Sequence, residues 1–385
     1  MRWCFFSPGP RSIQVLDGDT WASGGAEAQI AYIAAALARA GHSVSLIHGN
    51  GRGVAVPVIR SGVVCLEAAP SWRQPRSLNR FWLAMQSLSP DILYARLPSD
   101  FLWLMGLFAK LDPDRRFIYA LAHDDHCNPR TSYDHKRWLH VPLYAAGLRT
   151  ADVIAVQHDG QVDLLPQHLR ASRIVPLPNL VRHFNTSPRS FLRTTYDAAW
   201  IAMVRPEKQL ELFLDLARRL PDHRFAVAGS YDTALSDRCR AELETTIAGL
   251  PNVDYKGPLR SDGVLALLNA SRMVVNTSSG EGFPNTMLEA WSVGIPVVSL
   301  SVDPGGVIER EGLGRIGGTV DGLVGHVHEL ARDASLNLTI GARALAFVRS
   351  RHNFDAVCAA LEKLTPDVVS SHASGPISDN SGYGS

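Results

Sequence analysis

Short runs of apolar, often β-branched residues alternate along most of the chain with longer stretches in which apolar residues recur every three or four positions. Glycine, proline or small polar residues mark each change of period. Strands alternating with helices give this pattern, and it predicts an α/β fold of parallel, doubly wound sheets. Residues 3–6 read as a first buried strand, followed by a loop over 7–23 that ends at Gly24-Gly25-Ala26-Glu27. A helix then carries Ile30, Ile33, Ala34, Leu37 and Ala38 on one face and stops at Gly41, and 44–47 return as a strand. Strand candidates at 63–66, 92–95, 117–121 and 153–156 alternate with helical stretches at 77–88 and 99–110. A polar stretch over 183–193 reads as a linker. Beyond it lie strands at 200–204, 225–228 and 253–256, a helix with Leu212, Phe213, Leu216 and Leu220 inward, and helical stretches at 321–333, 336–349 and 354–364.

Residues 274–300 draw the pattern to one point. An apolar run ending in Val274 and Val275 breaks into Asn276, Thr277, Ser278, Ser279 and Gly280, residues typical of loops. From Pro284 onward Met287, Leu288 and Trp291 recur at helical spacing, and Gly294 with Pro296 stops the helix before a second apolar run. Pro284 suits a first helical turn, where its missing N–H is not needed. The free N–H groups of that turn, those of Asn285 and Thr286 among them, face the loop with the positive end of the helix dipole behind them, which makes an anion site. Glu281 precedes the helix and Glu289 lies about a turn inside it. Carboxylates accept hydrogen bonds from hydroxyls. Phosphate donors in the middle with hydroxyl acceptors on either side fit a diphosphate bearing hydroxyls at both ends, as a nucleotide-sugar does. An acidic, capped helix after a strand is the plainer alternative.

Glu281-Gly282-Phe283-Pro284-Asn285 followed by Thr286-Met287-Leu288-Glu289 resembles the E-x7-E motif of the retaining glycosyltransferases of family 4, which have the GT-B fold of two Rossmann-like domains facing a central cleft. The likeness spans roughly residues 1–360. It implies an acceptor-side domain over 1–185, a nucleotide-sugar-binding domain over 186–349 and a helix within 350–365 crossing back to the first domain. Residues 366–385, rich in Ser, Gly, Pro and Asp, remain as a disordered tail. The resemblance further implies that Glu281 meets the donor sugar's hydroxyls, that the amides of Gly282 and Phe283 lie near sugar and phosphate, and that Glu289 holds the ribose hydroxyls, with Pro284, Asn285 and Thr286 completing the donor site.

Four other places carry candidate chemistry. Gly24 and Gly25 let the backbone approach a ligand at a helix start, although a tight turn without a ligand needs them equally; GGAE here resembles the glycine loop of the same enzymes, which faces the donor diphosphate. His123 stands in Ala122-His123-Asp124-Asp125-His126, where polar residues gather at a strand's carboxyl end. The resemblance implies a contact with the donor sugar; a metal held by His123, Asp124, Asp125 and His126 is one alternative and a plain loop histidine another. Arg205 and Lys208 lie at a strand-to-helix turn, placed to neutralise a leaving diphosphate unless they are surface charges. Lys208 matches the family's lysine, but Met203 occupies the position of the family's arginine and Arg205 is only three residues before the lysine. Residues 130–149 join Arg130, Lys136, Arg137 and Arg149 to Tyr133, Trp138, Leu139 and Tyr144, which suits either peripheral contact with an anionic membrane or a helix with a solvated basic face.

Composition narrows the class. The 385 residues are 46% hydrophobic and 19% charged with net charge +1, enough chain for two or three domains and no global charge to draw it to nucleic acid. Five cysteines, odd in number and never spaced C-x-x-C, argue against a disulfide framework or zinc site and for a reducing compartment, the cytoplasm or the inner face of its membrane. No apolar run approaches the roughly 18–20 residues of a membrane span. The expectation is a retaining, metal-independent transferase without cofactor, moving a sugar from a UDP- or GDP-sugar to a hydroxyl of a glycan, a lipid-linked saccharide or a small molecule. A catalytically silent scaffold or glycan-binding protein is the alternative outside enzymes, and a nucleotide-sugar epimerase or hydrolase the alternative within them.

Overall fold

The structure is a computed structural model and describes residues 1–18, 24–49, 57–68, 76–132, 138–171, 173–184 and 190–365. The expected tail over 366–385, the middle of the basic stretch at 133–137 and part of the linker at 185–189 lie outside the described residues. The first sheet takes β1 (Arg2–Ser7), β2 (Ser43–His48), β3 (Val58–Arg60), β4 (Val63–Glu67), β5 (Ile92–Ala95), β6 (Arg116–Ala120), β7 (Val153–Val156) and β8 (Arg173–Pro176) in the order β3-β4-β2-β1-β5-β6-β7-β8. All its neighbours are parallel except β3 with β4. The second sheet is wholly parallel: β9 (Tyr196–Ile201), β10 (Phe225–Ala228), β11 (Val253–Tyr255), β12 (Ser271–Asn276), β13 (Val297–Ser299) and β14 (Gly314–Ile316), ordered β11-β10-β9-β12-β13-β14. In each sheet the chain works outward from a central strand and then returns to its other side. The crevices outside the carboxyl ends of β1 and β5, and of β9 and β12, are the places where such sheets bind ligands. The chain thus has two Rossmann-like sheets in the GT-B arrangement.

Burial explains which elements the pattern revealed. Strands β5 and β7 are buried along their whole length and are unbroken apolar runs, as strands covered on both faces are. Strand β9 begins and ends earlier than the expected 200–204, because its polar Asp197 is accommodated by Arg272 at 2.6 Å and His223 at 3.2 Å. The edge strands β3 and β14 have three residues each, and helix Asp237–Ala248 buries only Ile247, so neither kind announces itself by period. Between β3 and β4 the two-residue turn Ser61-Gly62 has positive φ at both positions (50° and 80°), the turn that matches strand twist in a tight hairpin.

Two further findings bear on the site. Tyr144, an aromatic of the basic stretch, is fully buried: its hydroxyl donates to the His126 carbonyl at 2.7 Å and lies 2.8 Å from that of Tyr119. Trp138 is 85% exposed, so Tyr144 and Trp138 do not share one outward face. Helix Phe354–Leu364 buries Val357, Leu361 and Leu364 in the core of the first domain and packs against β8. The chain returns there through His352, whose Nδ1 lies 2.8 Å from the Asn179 carbonyl and whose own carbonyl accepts from the Val181 N–H at 2.9 Å. Among the described residues no helix is long and apolar enough to cross a membrane.

Candidate functional site

The loop after β12 and the helix it feeds stand at the second crevice. Helix Asn285–Ser292 starts one residue later than the sequence suggests: Pro284 is extended (φ −62°, ψ 125°) and lies just outside it, its carbonyl accepting from Met287 at 3.2 Å and Leu288 at 3.4 Å. Proline's fixed φ sets the entry angle, and the first-turn N–H groups of Asn285 and Thr286 have no intrahelical acceptor. The Thr286 hydroxyl turns to β9 and donates to the Ile201 carbonyl at 3.2 Å, so it is the backbone of Thr286 that faces the loop.

Lys208 reaches this loop from the turn after β9. Its ammonium pairs with Glu281 Oε1, which also accepts from Ser278 Oγ at 2.8 Å. Thr277 Oγ1 donates to the Lys208 carbonyl at 2.7 Å and the Ser279 N–H to the Glu207 carbonyl at 2.9 Å, so the two loops are laced together. Arg205 points elsewhere. Its Nε donates to Asp232 at 2.5 Å and Nη1 lies 3.8 Å from Glu207. The Ala234 N–H and, less strongly, Arg205 hold the Asp232 carboxyl below its ordinary range.

The first domain grips the same loop. Gln157, just beyond β7, accepts the Phe283 N–H at 3.2 Å and donates to Asn179 Oδ1 at 3.1 Å. Asn179 donates to the Phe283 carbonyl (3.1 Å) and to Asn285 Oδ1 (3.0 Å), and is itself met by the buried guanidinium of Arg96 at 2.5 Å. Asn285 Nδ2 donates to the Gly25 carbonyl at 3.0 Å, and Gln29 Nε2 reaches both Asn285 Oδ1 (3.2 Å) and the Leu180 carbonyl (3.0 Å). Gly24 caps helix Gly25–Arg39, and Glu27 folds back against it. The Phe283 amide, expected near sugar and phosphate, is therefore engaged by Gln157 in this structure.

His123 also crosses the cleft. Its Nδ1 accepts from the Asp125 N–H at 3.1 Å, which leaves the neutral ring's proton on Nε2, 3.4 Å from the Gly280 carbonyl. Its neighbours diverge: Asp124 Oδ1 accepts from Gln161 at 3.0 Å and faces His158 at 3.1 Å, while His126 is buried and its pKa is pushed down to about 3 by that burial. Among the described residues no group of three or more His, Cys, Asp or Glu is arranged to hold a metal ion.

Glu289, one turn into the helix, borders a cavity of about 50 Å³ between the domains, with Gln29, Tyr32, Arg182, Ser261 and Leu265 around it. Burial pushes its carboxyl up to about 7, and Arg182 opposes the rise. Such a group changes charge near neutrality, where it can accept hydrogen bonds from hydroxyls in one form and donate one in the other.

Sequence reasoning missed Gln29, Gln157 and Asn179. Gln29 was visible as a polar residue among Ala28, Ile30 and Ala31 on a buried helix face, and Gln157 as the first polar residue after an apolar strand. The close fit yields a prediction. An added Cβ at Gly282 would lie 2.1 Å from Gln157 Oε1, 2.8 Å from the Ala122 carbonyl oxygen and 3.0 Å from His123 Cα. Gln157 can swing aside, but the two backbone atoms cannot. Gly282→Ala should lower transfer about tenfold or more by displacing the loop and cost about 1–3 kcal/mol of stability, read by steady-state rates and urea unfolding. Wild-type values in both would show that the contact is dispensable.

Residues 24–180 match the family described as glycosyl transferase 4-like domain, and residues 196–333 the family described as glycosyl transferases group 1. No curated protein sequence matches the chain. Among solved structures, sucrose-phosphate synthase from Thermosynechococcus elongatus superposes with a TM-score of 0.75 at 16% identity, over 96% of this chain and 99% of its own. HepE from Anabaena, in complex with UDP and glucose, gives 0.67 at 18% identity over 97% and 100%. A glycosyltransferase from Rickettsia africae gives 0.68 at 13% identity over 95% and 98%. At these identities the structural likeness is one of fold.

Proposed function

The chain belongs to the group 1 glycosyl transferases, and we propose that it moves a sugar from a nucleoside-diphosphate sugar to a hydroxyl acceptor with retention of anomeric configuration. The observation that carries this reading is the meeting of Lys208 with Glu281 at the mouth of helix Asn285–Ser292, with Glu289 a turn further along the same helix. That line offers a cation and free helix N–H groups for a diphosphate between two carboxylates for hydroxyls. Glu281 takes the sugar's hydroxyls, Glu289 those of the ribose, and Lys208 the phosphates. His123 orients the sugar from the first domain, and Gly24, Gly25, Gly282 and the Asn285 and Thr286 amides line the diphosphate. Phe283 contributes its amide only if Gln157 releases it. Pro284 sets the loop's angle.

In the reaction the bond from the sugar's anomeric carbon to the phosphate oxygen breaks as the bond to the acceptor oxygen forms on the same face. The departing phosphate takes the acceptor's proton, while the protein supplies orientation and charge stabilisation. Because Lys208 and the helix terminus provide positive charge, the reading requires no metal. HepE, which shares the fold, has been captured with UDP-glucose, and a uridine nucleotide is one donor class that fits. The acceptor class we propose is a glycan or a lipid-linked saccharide. Met203 in place of an arginine, with Arg205 committed to Asp232, favours a second reading, a silent scaffold that binds donor without turning it over.

Thermal unfolding with UDP, GDP and ADP tests the donor site. One nucleotide should stabilise the protein by about 2.7 kcal/mol at 100 times its Kd, a chelator should change little, and Glu289→Ala should abolish the shift. Absence of a shift with all three would sink the donor-site reading.

A further inference from the structure

The cavity beside Glu289 is walled from both domains: Gln29 and Tyr32 from helix Gly25–Arg39, Arg182 and His183 from the segment after β8, and Ser261 and Leu265 from helix Ser261–Asn269. Arg182 lies flat on Tyr32, its guanidinium carbon 4.0 Å from the ring centroid. Tyr32 and Ser261 line the same cavity, so helix Gly25–Arg39 and helix Ser261–Asn269 meet around it. A guanidinium on an aromatic face keeps its charge while losing freedom, and the stack fixes where that charge sits. Nothing in the transfer chemistry above uses either residue.

We propose that Arg182, clamped on Tyr32, is a positioning residue of the nucleotide subsite: its charge holds the Glu289 carboxylate in the form that accepts hydrogen bonds from ribose hydroxyls. The proposal rests on Glu289 being the ribose ligand. Among the described residues the titratable groups lining the cavity with Glu289 are Tyr32, Arg182 and His183; Ser261, Asn285 and Ser292 from the adjoining helices are uncharged. Burial and Arg182 hold His183 below its ordinary pKa, so it is neutral where Glu289 titrates. Burial raises the Tyr32 hydroxyl, which stays protonated there too. Among the described residues that line the cavity with the carboxylate, Arg182 is thus the one lasting charge.

The experiment is a calorimetric titration, from pH 5.5 to 9, with whichever of UDP, GDP and ADP stabilises the protein. Wild type is compared with Arg182→Met, Arg182→Lys, Glu289→Gln and the Arg182→Met/Glu289→Gln pair. Titration of the ligand's own phosphate is common to all and cancels in the comparison. Wild-type affinity should rise with pH through about 7. In Arg182→Met the midpoint moves up by as much as about one unit, so binding weakens about three- to tenfold at pH 6 and less than about twofold at pH 9. Arg182→Lys restores the midpoint, and in the Glu289→Gln background the loss of Arg182 has no pH-dependent effect. A loss of the same size at every pH, or no loss, overturns the proposal while leaving Glu289 as ribose ligand. If Glu289→Gln alone binds like wild type, the ribose assignment itself fails and the role of Arg182 falls with it.

Discussion

Replacing Lys208 with alanine lowers the rate of sugar transfer about 10²–10³-fold, the loss expected when one preorganised charge is removed from a developing anion. The lysine is one-fifth exposed, and its backbone is pinned by Thr277 while its ammonium rests on Glu281. The diphosphate gains negative charge as its bond to the sugar breaks. A cation fixed beside that charge therefore stabilises the transition state more than the bound donor, and the defect appears in kcat. Arginine at this position keeps the charge but not the compact ammonium, and recovers only part of the rate. Release of nucleoside diphosphate by wild type, Lys208→Ala and Lys208→Arg measures both effects. A deficit of less than about fivefold in the alanine variant would take the lysine out of the reaction and leave it as a partner for Glu281.

Glu289→Gln makes the protein more stable, and more so at high pH. The folded carboxyl titrates at about 7 against 4.5 for an ordinary glutamate. Below pH 4.5 it is protonated in both folded and unfolded chains and costs nothing. Between these values the folded protein keeps a proton that the unfolded chain has released, so stability falls as pH rises. Above 7 the charge is borne in both states and the full cost of burying it is present, about 3 kcal/mol. Glutamine, which carries no charge, should therefore gain about 3 kcal/mol at pH 8 and less than about 1 kcal/mol at pH 5 in urea unfolding. The same change should weaken nucleotide binding roughly 10–100-fold, the worth of hydrogen bonds to a charged acceptor. Equal stabilities at pH 8 would show that water solvates the folded carboxylate.

Much of the framework could be read from local pattern. Ile92–Ala95 and Val153–Val156 are wholly buried and wholly apolar, and the loop from Glu281 to Asn285 sits where strand, polar break and helix foretold it. What stayed hidden is non-local. Gln29 meets Leu180 across 151 positions of sequence and Asn285 meets Gly25 across 260, and no period links such residues. Arg205 shows the same limit: three residues from Lys208 it looked like a second phosphate ligand, but Asp232, from another connection, had claim to it. Tyr144, one of the aromatics in a stretch that suited either a membrane-lying helix or a solvated basic face, is buried because Tyr119 and His126 belong to elements that fold against it from elsewhere in the chain.

Helix Phe354–Leu364 has a consequence for how the protein is made. The ribosome delivers the first sheet's strands early, yet Val357, Leu361 and Leu364, which belong to the same core, emerge only after the whole second sheet has been synthesised. Until then the part of that core which they cover is open to water. The first half of the molecule therefore waits, incompletely sealed, for a helix that follows the whole second sheet. A nascent chain arrested after the second sheet would carry that apolar face into the cell, where chaperones and proteases find such surfaces first.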